Sequence, residues 1–378
     1  MGHVKDRWTV PGPNGRRVKG PRHGRGKRWL ASWIEPTGRE KTKAFATKDA
    51  AEAHLSTVDV SKRTGSYVSE TRISFGDYAD RWLAHQVHQA PRTRANTDRL
   101  IRLHAKPTLG AMPLQWVTRS HIQSLISTKA IDEGMAPVSV RQLYSYIAAI
   151  FNSAVEDRAV AVTPCRSINL PPVGRRLLRP LEVAQVRHIA DAVPANLAGM
   201  VWLGAGTGLR PGELKSLTVD RLVDDMLRVD RQLDEGTSAT KLVWGPLKTD
   251  ASYRTLQLAT VTHKRLLEHL EQFPPGPNGL LFTSSRGNPL GRGRLSEIWS
   301  RATEGMGLPA RSGWHDLRHH HASLLIASGR SPRAVADRLG HADPSETLRT
   351  YAHLWPSDVA LILAAIDAAH GPDTDQPK

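Results

Sequence analysis

Pro332, Gly340 and Pro344 cut the stretch from Gly313 to Tyr351 into short pieces, and this is the tightest constraint the chain places on its own fold. Proline lacks the amide hydrogen a helix interior needs, and glycine readily ends a helix, so short helices joined by tight turns are what fits here. Along those pieces lie His315, Arg318, His341 and Tyr351. An earlier segment, Thr207-Gly208-Leu209-Arg210-Pro211-Gly212-Glu213-Leu214, supplies a second arginine with a carboxylate three residues on. Guanidiniums grip phosphate oxygens in planar, bidentate fashion, and a phenol can act as a covalent nucleophile. Two Arg, two His and one Tyr are what chemistry on a phosphodiester needs.

A chain of 378 residues is expected to hold two or three domains. Its formal net charge of +16 points to a polyanionic partner. That charge is uneven: net +8 over residues 1–70, +5 over 71–171 and +3 over 172–378, so long-range attraction to such a partner is expected from the front half. Cys165 is the sole cysteine, which excludes an intrachain disulfide or a thiolate zinc cluster and fits a reducing cytoplasm. The start of the chain has no apolar core of a signal peptide, and no run reaches the ~18 apolar residues of a membrane span.

Residues 1–21 are polar and rich in Pro and Gly (Pro11, Gly12, Pro13, Gly15, Gly20) and read as a flexible arm. Residues 28–34 and 41–46 read as strands around a Pro36-Thr37-Gly38 turn, and Thr47 as the cap of a helix reaching Arg63. Residues 65–73 read as a linker. Apolar spacing predicts four helices over 75–89, 94–104, 119–129 and 138–157, with Thr118 and Ser120 and Pro137 as start signals. The last carries Val140, Leu143, Tyr144, Ile147, Ala148, Phe151 and Val155 at helical spacing, a core stripe; Arg92, Arg94, Arg99 and Arg141 are its neighbours suited to phosphate. Residues 164–180 read as a basic interdomain linker. Helices dominate from Leu181, with strands expected near 226–232, 242–244 and 254–258, and the tail 371–378 reads as disordered.

Gly204-Ala205-Gly206-Thr207-Gly208 fails the dinucleotide pattern, since Leu209 replaces the third glycine and no Walker lysine follows. It reads instead as a helix ending at glycine, with Pro211 opening the next short helix. His319, His320 and His321 point in different directions on a helix and cannot chelate one ion together. His315 and His319 have the spacing of zinc-binding helices but lack the glutamate of HExxH. No cofactor and no metal is expected. His315 and Arg318, three residues apart, share a helix face.

The segments TGLRPGEL, HDLRHHHAS and LGHADPSETLRTYAHL closely resemble the three conserved boxes of the tyrosine recombinases of the phage-integrase type, including the ten-step separation of Tyr351 from His341. The resemblance runs from about Ser74 to Trp355. It implies a mainly α fold with small β elements in three parts. These are a small β-sheet plus helix arm-type DNA-binding domain over 1–67, a four-helix core-binding domain over 71–166, and a mixed α/β, mostly helical catalytic domain over 178–370.

The resemblance further implies that Tyr351 attacks a scissile phosphate to give a 3′-phosphotyrosine and a free 5′-hydroxyl, a DNA breaking and rejoining of the type IB topoisomerase kind. Arg210 and Arg318 then hold the non-bridging oxygens, His315 and His341 bond and move protons, and Glu213 orients Arg210. The segment Pro246 to Leu256 resembles the family's hairpin bearing a mobile lysine, which makes Lys248 the acid for the departing 5′ oxygen, with Lys241 as the alternative. The partners implied are double-stranded DNA attachment sites and a homotetramer on DNA, with an excisionase or a DNA-bending host factor as accessory. Residues 356–370, with Val359, Leu361, Ile362, Ala365 and Ile366 on one face, dock on a neighbour. Two other readings stay open: a chromosome-dimer-resolving recombinase, which residues 1–70 argue against, and a DNA-binding regulator with vestigial boxes, which the filled box positions argue against.

Overall fold

The computed structural model describes residues 2–370 apart from 13–15, 36–37, 65–66, 68–72, 175–177, 235–236, 239–240, 277 and 356–358. The tail 371–378, most of the 65–73 linker, the three residues 175–177 of the 164–180 linker and Pro36-Thr37 of the expected turn therefore lie outside the described residues. The chain forms two compact units, residues 1–174 and 175–378.

The first unit opens with β1 (His3–Asp6), β2 (Thr9–Pro11), β3 (Arg17–Lys19), β4 (Trp29–Ile34) and β5 (Glu40–Phe45), followed by α1 (Lys48–Arg63). β1, β4 and β5 make one antiparallel sheet in that order, and β2 and β3 a separate hairpin. Val4, Trp29, Ala31, Trp33 and Phe45 pack with Ala51 and Leu55 of α1 into a small core. Thr47 caps α1 by accepting from the Ala50 amide. The expected flexible arm is corrected here, because β1, β2 and β3 all fall within residues 1–21. β1 is made by pairing with β4, residues far off in sequence, and Pro11, Gly12 and Gly20 belong to the β2–β3 strands and their flanks, whereas Pro13 and Gly15 lie outside the described residues.

A second core belongs to α2 (Phe75–Ala84), α3 (Pro91–Leu100), a π-helical turn (Ile101–Ala105), α4 (Lys106–Leu109), α5 (Arg119–Ser127), a further π-helical turn (Thr128–Asp132) and α6 (Pro137–Glu156). Ser74 and Thr118 cap α2 and α5, and Pro91 and Pro137 open α3 and α6. The expected 75–89 helix stops at Ala84, since no apolar residue carries its face on and Val87 stands exposed. Val140, Leu143, Ile147 and Phe151 are buried, as their spacing requires. Arg92, Arg94, Arg99 and Arg141 are exposed.

The second unit contains α7 (Val183–Ala192), α8 (Ala195–Thr207), α9 (Pro211–Leu214), β6 (Leu222–Val223), β7 (Met226–Val229), β8 (Gln232–Leu233), β9 (Trp244–Gly245), β10 (Arg254–Gln257), α10 (Thr260–Gln272), α11 (Arg292–Ala302), α12 (His315–Ala327), α13 (Pro332–Leu339), α14 (Pro344–Tyr351) and α15 (Val359–His370). α8 is apolar almost all round and threads the core, with Met200, Val201 and Leu203 buried beside Leu317 of α12. β9 pairs with β8, whereas β10 pairs with β7. The expected hairpin around Lys248 is thus corrected: its flanking strands belong to different sheets, and the segment crosses between them. No helix among the described residues is long and apolar enough to cross a membrane.

Gly208 ends α8 in the left-handed conformation, φ +67°, and a Cβ there would come within 2.7 Å of the His321 and Leu339 side chains. Gly208→Ala is therefore expected to destabilise this unit by about 2–4 kcal/mol, through both the backbone conformation and the clash. Urea denaturation checks this; an unchanged midpoint would show that the turn relaxes freely.

Candidate active site

α12 is aimed by its first turn. The Asp316 carboxylate accepts from the Gly313 amide at 3.1 Å, and the buried Trp314 indole donates to the Leu295 carbonyl at 2.8 Å. Arg318, one turn on, is only 1% exposed. Its Nη1 donates to the carbonyls of Gly208 and Leu339, each at 2.8 Å. Those carbonyls sit at the C-terminal ends of α8 and α13, where helix peptides carry partial negative charge. Nη2 is buried without a hydrogen-bond partner among the described residues. An unpaired buried donor is costly, so the guanidinium is suited to receive an acceptor oxygen. Burial, and then the charge of Arg210, pulls its pKa down to about 10, which leaves it a cation at neutral pH.

Arg210 stands at the start of α9, between the Gly208 turn and Pro211. Its Nη1 donates to Glu213 Oε1 at 2.8 Å and to Ser252 Oγ at 3.0 Å, and Nη2 to the Gly340 carbonyl at 3.1 Å. Glu213 turns back to accept from the Arg210 amide at 3.0 Å and also holds Arg254 at 3.0 Å. Burial raises the Glu213 carboxyl, but the Arg254 and Arg210 guanidiniums outweigh it and the pKa ends below the ordinary value. Ser252 and Arg254 went unnoticed in the sequence. An arginine in a strand pattern carries no local signal, and its tie to Glu213 spans 41 residues.

The imidazoles form a row. His315 and His319 meet edge to face at 4.7 Å between ring centres, and His319 meets Tyr351 at 5.6 Å. His319 Nδ1 lies 2.8 Å from the Tyr351 hydroxyl. Tyr351 is 1% exposed, and burial pushes its pKa up to about 12 against the opposing pull of Arg318. The phenol is thus protonated and donates, so Nδ1 of His319 accepts. From the sequence, Arg210 and Arg318 go to the phosphate oxygens and His315 and His341 carry protons; the partner of this hydroxyl is His319, which the sequence presents only as a possible metal ligand. His341 follows Gly340 (φ +71°), is buried, and bonds Thr347 Oγ1 at 2.7 Å through Nδ1.

Desolvation first, then the nearby arginines, holds His341 and His319 below the ordinary imidazole value, His319 at about 4. His315 is lowered too, to about 4, by desolvation of the ring first and then by His319 and Arg318, although the residue as a whole is exposed at the helix start. Lys248 is exposed on the crossing segment, and none of the hydrogen bonds described involves it. Lys241, the alternative, is exposed as well. Among the described residues no group of three or more His, Cys, Asp or Glu could hold a metal ion. A cavity of about 450 Å³ lined by Trp202, Arg265 and His269 includes none of these site residues. The cluster is instead a buried guanidinium and a half-buried one beside a buried phenol.

Residues 176–357 match the sequence profile of the phage integrase family, and residues 74–130 that of the phage integrase N-terminal SAM-like domain. A putative prophage phiRv2 integrase of Mycobacterium tuberculosis is 29% identical over 345 residues, 86% of this chain and 88% of its own length. A Tn1549 transposon integrase solved in complex with a circular intermediate DNA superposes with a TM-score of 0.67 at 18% identity, over 78% of this chain and 99% of its own. A lambda integrase tetramer bound to a Holliday junction gives 0.57 at 21% identity, over 84% and 94%. At such identities the two structures carry the fold alone.

The depressed imidazoles tie stability to pH. Free imidazoles protonate near 6.5, whereas His319 and His321 stay neutral down to about 4 and about 3. Between those values the unfolded chain binds more protons, so stability is full above about 6.5 and falls as pH drops through the window. Calorimetry is expected to show Tm falling by roughly 5 °C or more from pH 7 to pH 5. A flat profile would mean these rings are already protonated, or solvated, in the native state.

Proposed function

We propose, for a chain that belongs to the phage integrase family of tyrosine recombinases, a metal-free strand exchange that runs through Tyr351. The chain is a site-specific recombinase of the phage or mobile-element integrase type. The observation that carries the chemistry is the meeting, in one cluster, of a buried guanidinium with a spare donor, a second guanidinium braced by Glu213, and a phenol bonded to a neutral imidazole.

In the proposed reaction the Tyr351 oxygen attacks the scissile phosphorus. Its proton leaves to the imidazole group, where His319 already accepts from it and His315 and His341 feel the charge of Arg318 and Arg210. The bond to the 5′ oxygen breaks, and that oxygen takes a proton from Lys248, leaving a 3′-phosphotyrosine and a 5′-hydroxyl. A 5′-hydroxyl of the partner duplex reverses the step. Arg210 and Arg318 neutralise charge on the non-bridging oxygens, the service a metal ion gives elsewhere. One phosphodiester replaces another, so no ATP is consumed.

Double-stranded attachment sites are the substrate in this reading. The front module over 1–67 holds distant arm sites, 71–166 holds the crossover core, and 178–370 carries the chemistry, in the cytoplasm where the DNA lies. A homotetramer on DNA suits the exposed Val359, Ile362 and Ile366 of α15, which offer an apolar face to a neighbour; the side chains of Leu361 and Ala365 lie outside the described ones. An excisionase or a DNA-bending host factor would set direction. Integration is favoured over chromosome-dimer resolution by the basic front module.

Tyr351→Phe keeps the buried ring and is expected to abolish the denaturant-resistant adduct on nicked attachment-site DNA while leaving affinity within about twofold; persistence of the adduct removes Tyr351 from its role. Lys248→Ala is expected to slow cleavage of ordinary DNA at least a hundredfold, as general-acid assistance is typically worth ~10²–10⁴. A 5′-bridging sulfur leaves without a proton, so the variant should recover on that substrate. Equal defects on both substrates assign Lys248 to binding and turn attention to Lys241.

A further inference from the structure

The net charge of +8 carried by residues 1–70 is not spread over the front module. Residues 7–28 hold eight Lys and Arg and no Asp or Glu, while the rest of that stretch holds seven of each sign. The structure shows what this segment is: the excursion between β1 and β4 that contains the β2–β3 hairpin and the loop after it. The face of the three-stranded sheet turned away from α1 is nearly neutral by comparison. His3, Lys5, Leu30, Ser32, Ile34, Glu40, Thr42 and Ala44 lie on it by register, with Ser32 bonded to Glu40.

The excursion is built and anchored. Asp6, at the end of β1, accepts from the Trp8 amide, from Thr9 Oγ1 and from Arg28, each at 2.9 Å. One carboxylate thus clasps both ends of the segment. Arg28 lies over the rings of Trp8 and Trp29, and His23 tilts against Trp8 at 5.7 Å. Arg17 crosses the hairpin to Thr9, donating to Oγ1 at 2.7 Å and to the carbonyl at 3.0 Å. Gly20 returns its amide to the Trp8 carbonyl at 2.8 Å, and turns follow at His23 and Arg25. Arg16, Arg17, Lys19, Arg22, Arg25 and Lys27 are all exposed, and none of the ion pairs described involves them.

We propose that residues 7–12 and 16–28 are a DNA-gripping element of the front module, which seats the phosphate backbone of duplex DNA apart from the sheet face described above. Four of the six exposed cations are arginines, whose planar fork matches phosphate oxygens bidentately. An anchored hairpin presents them at lower ordering cost than a loose tail. The inference rests on DNA being the partner, as proposed above.

The test uses the full chain and a random-sequence linear duplex, with affinity measured against salt. Each phosphate neutralised contributes about 0.9 to the slope of log affinity on log salt. Changing Arg16, Arg17, Lys19, Arg22, Arg25 and Lys27 to Gln is expected to flatten the slope by about 3–5 and to weaken binding at least tenfold. The comparison variant Lys5→Gln, Arg39→Gln, Lys41→Gln, Lys43→Gln, which takes the cations of both sheet faces and of the residue before β5, is expected to change it by less than about one. Asp6→Asn adds positive charge yet loosens the clasp, so it is expected to bind several-fold more weakly. Overturning results are an unchanged slope in the sixfold variant, a greater loss in the sheet variant, or tighter binding by Asp6→Asn. Equal loss of binding to vesicles of anionic lipid, with DNA binding intact, would assign the excursion to a membrane surface and overturn the proposal. If the wild type itself shows no salt-dependent affinity for duplex DNA, the integrase reading fails along with it; a steep wild-type slope shared by the sixfold variant sinks this proposal alone.

Discussion

A buried cation has to be reconciled with its loss of water, and the second unit is arranged around that requirement. Arg318 sits beneath the surface between the carbonyl ends of α8 and α13. Neither helix end could serve without its glycine: Gly208 and Gly340 take the left-handed conformation that stops each helix and leaves its last carbonyls facing the guanidinium pair. Arg210 closes the same arrangement by donating to the Gly340 carbonyl while Glu213 braces it from below. Partial negative charge from two helix ends and the full charge of Glu213 offset the desolvation of Arg318. Its Nη2 is buried with no hydrogen-bond partner among the described residues, which is the donor the proposed reaction calls on.

Burial and that positive charge together set the groups around it. The imidazoles stay neutral, first through desolvation and then through Arg318, and so can accept a proton from a phenol. The phenol in turn is held protonated by burial, with Arg318 as the one nearby charge working to ease its ionisation. Tyr351 is thus stored rather than activated: bonded to His319, packed with Ile326, Val335 and Leu339, and away from water. In the reaction proposed above, a phosphate on the arginines would supply the reason for it to leave that store, since the oxygen freed of its proton would end in a phosphodiester.

Much of this was legible in the sequence because it is local. Gly208 followed by Pro211 predicts a helix stop and a helix start, and Glu213 three residues after Arg210 predicts the brace. Thr47, Ser74 and Thr118 mark helix starts through their own side chains. What escaped depends on pairing across the chain. β1 exists because Val4 and Asp6 find β4, and nothing within residues 1–21 announces that. The tie between His319 and Tyr351 spans 32 residues. The sequence offered His319 in a row of three histidines, where each ring points elsewhere: His320 to the Leu181 carbonyl, His321 to the Ala205 carbonyl, and His319 to the phenol.

The central claim is that the phenol stored beside Arg318 becomes the covalent link to DNA. Mass spectrometry of a trypsin-digested adduct, trapped on nicked attachment-site DNA and trimmed by nuclease, tests this most directly. The account predicts a nucleotide-mass addition on the peptide that begins at Thr350, localised by fragmentation to Tyr351. An addition on any other tyrosine, such as Tyr253 on the crossing segment, or on a serine, would contradict it.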